Sequence, residues 1–313
     1  MDIPNIDKHE SIFNARFKKH KFEYTSENNR QKGYFFYLPF RDGEVTTNEF
    51  LNYLIAETIH YAISYDKRKK FCNNLTPENM SEYMSLRKEI KSLFTHTSRS
   101  GDFGELIIYL ILRDFFNAPQ LVNKLKLKTA GNVPYHGADG LHIKFEGDNL
   151  LLFFAESKLE DVEKTDNQIQ KACNSTKSII LNEQVPNQTI GKRDFEINLI
   201  NNHFELPNIT ELQKEKILNY LNPLKQESND CKYVSACLIG FNFKFYTEIK
   251  GKNNIEEIFL ENYQKIIDSS IKSIKLNVSN CGIQDKNLIF ILLPFESIID
   301  FRKQFLELLW QNY

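Results

Sequence analysis

Residues 150–158 read Leu-Leu-Leu-Phe-Phe-Ala-Glu-Ser-Lys, an unbroken apolar run that ends abruptly in charge. A continuous apolar run of this length is typical of a central strand that is covered on both faces of its sheet. Upstream, residues 139–145 predict a second strand, and the turn-forming residues 146–149 between the two predict a hairpin. The sequence therefore predicts a buried sheet with polar residues at the end of one strand.

Predicted strands and helices alternate over the last two-thirds of the chain. Helices are expected at 102–116, 166–181, 209–220, 255–271 and 295–310, and further strands at 121–127, 233–246 and 288–293. Such alternation is typical of an α/β fold with a mixed central sheet flanked by helices. Residues 1–95 show mostly helical patterns instead, apart from a short aromatic strand at 34–39. We therefore predict a mainly helical N-terminal region, 1–95, followed by an α/β domain, 96–313.

Charge and composition limit the classes of function. The 313 residues include 40 Lys+Arg and 41 Asp+Glu, for a formal net charge of −1. Proteins that hold DNA by surface charge alone are usually basic, so a nucleic-acid function here must rest on a local site. We expect the isolated chain to bind DNA weakly and to gain affinity from a partner.

Other features indicate the cellular setting. The chain has no apolar N-terminal run, no membrane-length apolar stretch, and five cysteines without metal-binding spacing. We therefore expect a cytoplasmic protein with reduced thiols and no membrane partner. The phosphate-binding motif GxxxxGK[ST] is missing from the sequence, so we do not expect ATP binding through a P-loop.

Four residues stand where an α/β core would bring chemistry together. Glu105 lies one turn into a very apolar predicted helix, where a carboxylate is costly to bury unless it is paired or bound to metal. Asp139 lies at the start of the first predicted hairpin strand, and Glu156 and Lys158 end the second. Residues two apart on a strand point to the same face, and antiparallel pairing can place Asp139 beside Glu156.

These residue types suit phosphodiester hydrolysis. Converging carboxylates repel one another when ionised, and a divalent cation such as Mg²⁺ or Mn²⁺ relieves that repulsion. A metal so held by Glu105, Asp139 and Glu156 can activate water and neutralise charge on a scissile phosphate. Lys158 adds a positive charge beside the carboxylates. The sequence therefore predicts a metal-dependent nuclease site.

The motifs, taken in order, resemble those of the PD-(D/E)XK nuclease superfamily. More closely, they resemble the HamA/AbpA family of nuclease-like proteins in bacterial anti-phage defence. The stretches that carry this resemblance are Gly101-Asp102-Phe103-Gly104-Glu105, Gly137-Ala138-Asp139-Gly140 and Phe154-Ala155-Glu156-Ser157-Lys158. The resemblance is sharpest over residues 96–182.

The resemblance implies a restriction-endonuclease-like core and metal-dependent DNA cleavage controlled by a HamB-like helicase partner. By position, Asp139 and Glu156 would be metal ligands, Lys158 the charge-stabilising lysine, and Glu105 the acidic residue of the helix. Asp139 is not preceded by proline, which departs from the superfamily pattern. Two alternatives stay open: a catalytically silent adaptor with a nuclease-like fold, and an RNase or stand-alone restriction nuclease that uses the same site.

Several residues are weaker site candidates. Gln168 and Gln170 lie on the helix after Lys158, where a polar residue can assist, and His136 lies near Asp139. His142 is three residues from Asp139 on the same strand, so we expect it to face away from the site. Single basic residues could also position a DNA backbone, although such residues are ordinarily only solvated. They are Arg99, Lys126, Lys128, Lys171, Lys192 and Arg193.

Overall fold

A computed structural model describes residues 5, 7–73, 76, 80–94, 101–129, 137–249 and 254–311. Within these ranges the strands are β1 (Lys18–Lys19), β2 (Tyr24–Thr25), β3 (Gln31–Tyr37), β4 (Phe40–Arg41), β5 (Glu44–Val45), β6 (Gly140–Glu146), β7 (Asn149–Leu159), β8 (Cys231–Asn242) and β9 (Asn287–Phe295). The helices are α1 (Glu10–Arg16), α2 (Thr47–Ala62), α3 (Tyr65–Asn73), α4 (Met80–Leu93), α5 (Asp102–Leu110), α6 (Lys124–Thr129), α7 (Asp166–Ile180), α8 (Lys192–His203), α9 (Glu211–Leu221), α10 (Phe245–Glu248), α11 (Ile255–Cys281) and α12 (Ile298–Trp310). A π-helical turn, Ile111–Phe115, continues α5.

One mixed sheet organises the molecule. Its strands follow the order β1-β3-β9-β8-β7-β6, and β2 also pairs with β3. β3, β9, β8 and β7 are parallel to one another, whereas β6 is antiparallel to β7. The mixed α/β architecture predicted from strand–helix alternation is therefore confirmed.

The N-terminal strand β3 pairs with β9 near the end of the chain. The sheet thus includes residues from both sides of the boundary predicted at residue 95. The division into 1–95 and 96–313 stays a prediction.

Helices cover both faces of the sheet, as the apolar run in β7 predicts. On one face, Phe153 and Ala155 belong to the hydrophobic core that includes α2, α5 and α12. On the other face, Leu152 and Phe154 pack among residues of α7, α8 and α9. Each buried aromatic or aliphatic side chain contributes about 1.5–3 kcal/mol by leaving water, so a two-sided β7 is firmly placed.

The strand predicted at 121–127 is wrong. Gln120 forms only an isolated bridge with His142, and the chain then turns into α6. Leu121 and Val122 precede α6 and pack in the core with residues of β6, and Leu125 is a buried apolar residue within the helix. A short apolar run of this kind fits either structure, and its packing beside β6 decides between them.

Helix α8 was not predicted. Within it, only Glu196 and Ile200 are buried, so the segment lacks the apolar stripe by which a surface helix is recognised. Among the described residues, no helix combines the length and the apolar character needed to cross a membrane.

Candidate active site

The β6–β7 hairpin places Asp139 beside Glu156. The register pairs Gly140 with Ala155, which makes Asp139 the residue opposite Glu156. The Asp139 N–H donates to the Ala155 carbonyl at 2.8 Å. In return, the Ser157 N–H donates to Asp139 Oδ2 at 2.7 Å. The structure thus brings these two predicted carboxylates together at the end of β7.

Glu156 and Lys158 point to the α7 side of β7. The Lys158 ammonium forms an ion pair with Glu156 Oε1, and Ser175 of α7 lowers the pKa of the same carboxylate. Ser157 alternates to the opposite face and lies against α5. A Cβ added to Gly104 of α5 would lie 2.7 Å from Ser157 Oγ, so only glycine permits this close approach of helix and strand.

The electrostatics of the pair favour a cation. Burial raises the pKa of Glu156, and the nearby Asp139 carboxylate raises it further, to about 7, although Lys158 and Ser175 act in the opposite direction. Burial lowers the pKa of Lys158, but Glu156 outweighs this effect and the net shift is upward. Near neutral pH the Glu156 carboxyl group is therefore partly protonated in the absence of metal. Hard oxygen donors that repel one another in this way fit a divalent metal such as Mg²⁺ or Mn²⁺.

Glu105 lies on α5 and is 5% exposed. The Tyr61 hydroxyl donates to Glu105 Oε2 at 3.2 Å. Burial raises the pKa of Tyr61 well above its usual value, and Glu105, Asp102 and Asp139 raise it further. Tyr61 therefore lies within electrostatic reach of three carboxylates, which connects the α5 side of the site to Asp139.

The sequence analysis did not predict that Asp102 and Tyr61 lie near the candidate site. Asp102 is buried and precedes Glu105 by three residues, a spacing that places both side chains on one face of α5. The three-residue spacing could have predicted that Asp102 lies beside Glu105. Tyr61 belongs to a helix 44 residues upstream of Glu105, and nothing in the local pattern of α2 links it to this site.

The three predicted metal ligands can be compared with the potential metal-ligating groups that lie close together in the structure. Among the described residues, one group of three potential ligands has ligand atoms that all lie within 4.8 Å of one another, and it is His9, Glu57 and His60. The predicted ligands Glu105, Asp139 and Glu156 do not form such a group. Glu105 lies on α5, which packs against the Ala155 face of β7, whereas Glu156 points to the opposite face. Asp139 and Glu156 lie opposite each other in the hairpin, and the metal-ligand roles of Glu105, Asp139 and Glu156 all stay predictions.

The His9, Glu57 and His60 group already contains strong cations. Arg113 donates to Glu57 Oε2 at 2.7 Å, while the His9 ring lies 2.8 Å from Glu57 Oε1. Arg68 contacts His60 Nδ1 at 2.5 Å. Two guanidinium groups at this distance oppose a bound metal ion, so we interpret the group as a structural ion-pair network.

The weaker site candidates differ in burial and in their bonding partners. Gln168 is fully buried, whereas Gln170 is exposed. His142 is buried, its Nδ1 lies 2.8 Å from the Ala118 carbonyl, and burial lowers its pKa to about 4. Lys171 forms an ion pair with Glu160 at 2.7 Å.

Two of the basic candidates lie on the described helix α8. The Arg193 guanidinium stacks over the Tyr233 ring at 4.8 Å, and Lys192 begins α8. The residues Arg99 and His136, and the side chains of Lys126 and Lys128, lie outside the described part of the structure.

Comparison with known families supports the resemblance seen in the motifs. The sequence profile of the HamA family matches residues 11–309, which is nearly the whole chain. No curated protein matches the sequence. The match includes the hairpin, the buried helix α5 and the N-terminal region.

Proposed function

This chain belongs to the HamA family, and we propose that it is a metal-dependent deoxyribonuclease controlled by a helicase partner. Membership of the family implies involvement in Hachiman anti-phage defence. The observation that supports the nuclease is the Asp139–Glu156 carboxylate pair with Lys158 beside it at the end of β7. The same observation supports a PD-(D/E)XK type of core.

Asp139 and Glu156 would hold Mg²⁺ or Mn²⁺, with Glu105 contributing from the α5 side. A cation bound there would lower the pKa of a bound water and withdraw charge from the scissile phosphate. In the metal-free protein the raised pKa of Glu156, about 7, means that metal binding displaces a proton. Metal affinity should therefore increase with pH through the neutral range.

The protein's own groups prepare this site. The Ser157 N–H fixes one oxygen of Asp139, and the Lys158 ammonium pairs with the Glu156 carboxylate. Lys158 stays protonated because Glu156 raises its pKa. Its ammonium can therefore stabilise negative charge that develops on the phosphate oxygens during hydrolysis.

Control by a helicase is supported by the overall charge. A net charge of −1 supplies no broad attraction for DNA, so a partner that already holds DNA would deliver the substrate. A defence nuclease that binds DNA poorly alone is also restrained until its partner engages foreign or damaged DNA.

The proposal is tested by incubating the chain with its helicase partner, Mg²⁺ or Mn²⁺, and matched duplex DNA, single-stranded DNA and RNA. Wild type should cleave DNA, EDTA should stop cleavage, and Glu156→Gln and Lys158→Met should be inactive. Lys286→Met is the control, because this lysine pairs with the exposed Asp285 at 2.8 Å and precedes β9, at the opposite end of the parallel strands from the proposed site.

Each alternative predicts a different outcome. Cleavage of RNA but not DNA would favour the RNase. Full phage protection by Glu156→Gln in cells, with no cleavage by wild type in vitro, would favour the silent adaptor. If both site variants cleave as well as wild type, the assignment of the site is wrong.

A further inference from the structure

A fully buried ion pair contacts the residue that precedes Asp139 in the chain. Lys124 of α6 and Glu196 of α8 are both 0% exposed, and Lys124 Nζ lies 2.6 Å from Glu196 Oε2. Lysine and glutamate are almost never fully buried unless paired, and a buried pair adds little to stability compared with apolar residues of the same size. The position of this pair therefore points to a role other than stabilising the fold.

Both members of the pair hold the same residue, Ala138. Lys124 Nζ donates to the Ala138 carbonyl at 2.5 Å, and the Ala138 N–H donates to Glu196 Oε1 at 2.6 Å. Hydrogen bonds in which one partner is ionised are shorter and stronger than neutral ones. The ion pair thus fixes both polar groups of the residue that precedes Asp139.

The ion pair supports the main chain just before β6, where no neighbouring strand among the described residues binds Ala138. β6 starts at Gly140, so Ala138 and Asp139 precede it. On the β7 side, the Asp139 N–H bonds the Ala155 carbonyl at 2.8 Å. The peptide unit between Ala138 and Asp139 is therefore held from both sides, by Lys124 at its carbonyl and by β7 at its N–H.

We propose that Lys124 and Glu196 are positioning residues that set the direction of the Asp139 carboxylate toward the metal site. This inference rests on the proposed function, because it assigns the pair to the same carboxylates. Neither residue touches substrate, and both act through the main chain of Ala138. Loss of outer supports of metal ligands typically lowers metal affinity about 10–100-fold, which is the effect expected here.

The test measures Mn²⁺ affinity and hydrogen–deuterium exchange of the full-length chain. The double variant Lys124→Met/Glu196→Leu exchanges the ion pair for apolar side chains of similar size, and Glu196→Gln is a nearly isosteric variant in case the double variant does not fold. Arg113→Met is the matched control, since it breaks a different buried ion pair, with Glu57, that has no contact with Ala138.

In the folded double variant, we expect Mn²⁺ affinity to fall about 10–100-fold and exchange to accelerate in peptides that cover residues 138–140. For Glu196→Gln the loss should be smaller, about tenfold. Folded Arg113→Met should keep the affinity of wild type. Wild-type affinity and wild-type exchange in a folded Lys124 or Glu196 variant would overturn the inference.

Failure of the proposed function looks different. If wild type binds no Mn²⁺ that depends on Glu156, the metal site itself is wrong. The exchange of residues 138–140 then still decides whether the ion pair holds this segment: acceleration in the variants supports the positioning role, and unchanged exchange contradicts it.

Discussion

Two buried glutamates in this protein have opposite electrostatic environments. Glu57 is 4% exposed and Glu156 is 7% exposed, so they differ little in burial. Burial alone raises the pKa of Glu57, but Arg113 and His9 lower it below its usual value. Burial raises the pKa of Glu156 as well, and there Asp139 adds to the shift and brings it to about 7.

The difference shows that neighbours, rather than burial, set the direction of the pKa shift of a buried glutamate. Around Glu57, Arg113 also binds Asp114, and Arg68 binds Asp7, so positive and negative groups are interleaved. Glu156 instead faces a second carboxylate, Asp139, and pairs with one lysine, Lys158. Titratable groups with such raised pKa values concentrate at functional sites.

Removal of Arg113, which pairs with Glu57, should have the largest effect on the free energy of unfolding. Arg113→Met leaves Glu57 and Asp114 buried without their main cation, so we expect a loss of about 3–5 kcal/mol in the free energy of unfolding. Urea denaturation measures it. Glu156→Gln is the comparison and should not destabilise, because it removes repulsion from Asp139. A larger loss for Glu156→Gln than for Arg113→Met would reverse the account of the two regions.

Removal of the lysine in the site should affect catalysis rather than stability. We expect Lys158→Met to lower the rate of DNA cleavage about 10²–10³-fold, the usual loss for one group that stabilises transition-state charge. The rate is measured with saturating metal and helicase partner, and the free energy of unfolding is measured in parallel. Lys286→Met should cleave normally. A Lys158→Met protein with the wild-type rate would remove the lysine from the mechanism.

The pH dependence of stability should differ between the regions. A carboxyl group with a raised pKa in the folded state stabilises the fold below its unfolded pKa, and this contribution is lost as pH rises through the folded pKa. For Glu156 the window runs from 4.5 to about 7. At about 1.4 kcal/mol for each pH unit, the loss in EDTA approaches about 3 kcal/mol. Glu156→Gln should lack this component of the pH profile, and identical profiles in EDTA would contradict it.

Tyr61 lies between the two regions and should give the smallest effect. Its ring lies 5.2 Å from the Tyr109 ring, and its hydroxyl donates to Glu105. Tyr61→Phe removes one hydrogen bond to a buried carboxylate, so we expect a loss of about 1–2 kcal/mol by thermal or urea unfolding. A loss as large as that of Arg113→Met would mean that Tyr61 belongs to the structural network.

The local pattern of the sequence was sufficient for the hairpin and its polar end. The apolar run 150–155 and the change to charged residues at Glu156 predicted the strand β7. The alternation of side chains along a strand predicted that Glu156 and Lys158 share one face. The hairpin turn then determined that Asp139 lies opposite Glu156. These inferences succeeded because each depends on residues that are close together in the chain.

The features that the sequence did not predict depend on contacts between distant segments. β3 pairs with β9 across more than 250 residues, and no local pattern specifies that register. The ion pair behind Asp139 joins Lys124 to Glu196, which lie 72 residues apart on a helix read as a strand and a helix not predicted at all. Charged residues in such segments are normally solvated, and only packing makes them part of a site.

The most direct test of the central claim is a Mn²⁺ titration of metal-free protein at pH 7.5, followed by calorimetry or electron paramagnetic resonance. We predict that wild type and Glu57→Gln bind Mn²⁺ with the same affinity, and that Asp139→Asn and Glu156→Gln lose this binding. Equal binding by wild type and Glu156→Gln, or loss of binding in folded Glu57→Gln, would contradict the claim that the carboxylate pair at the end of β7 is the metal site.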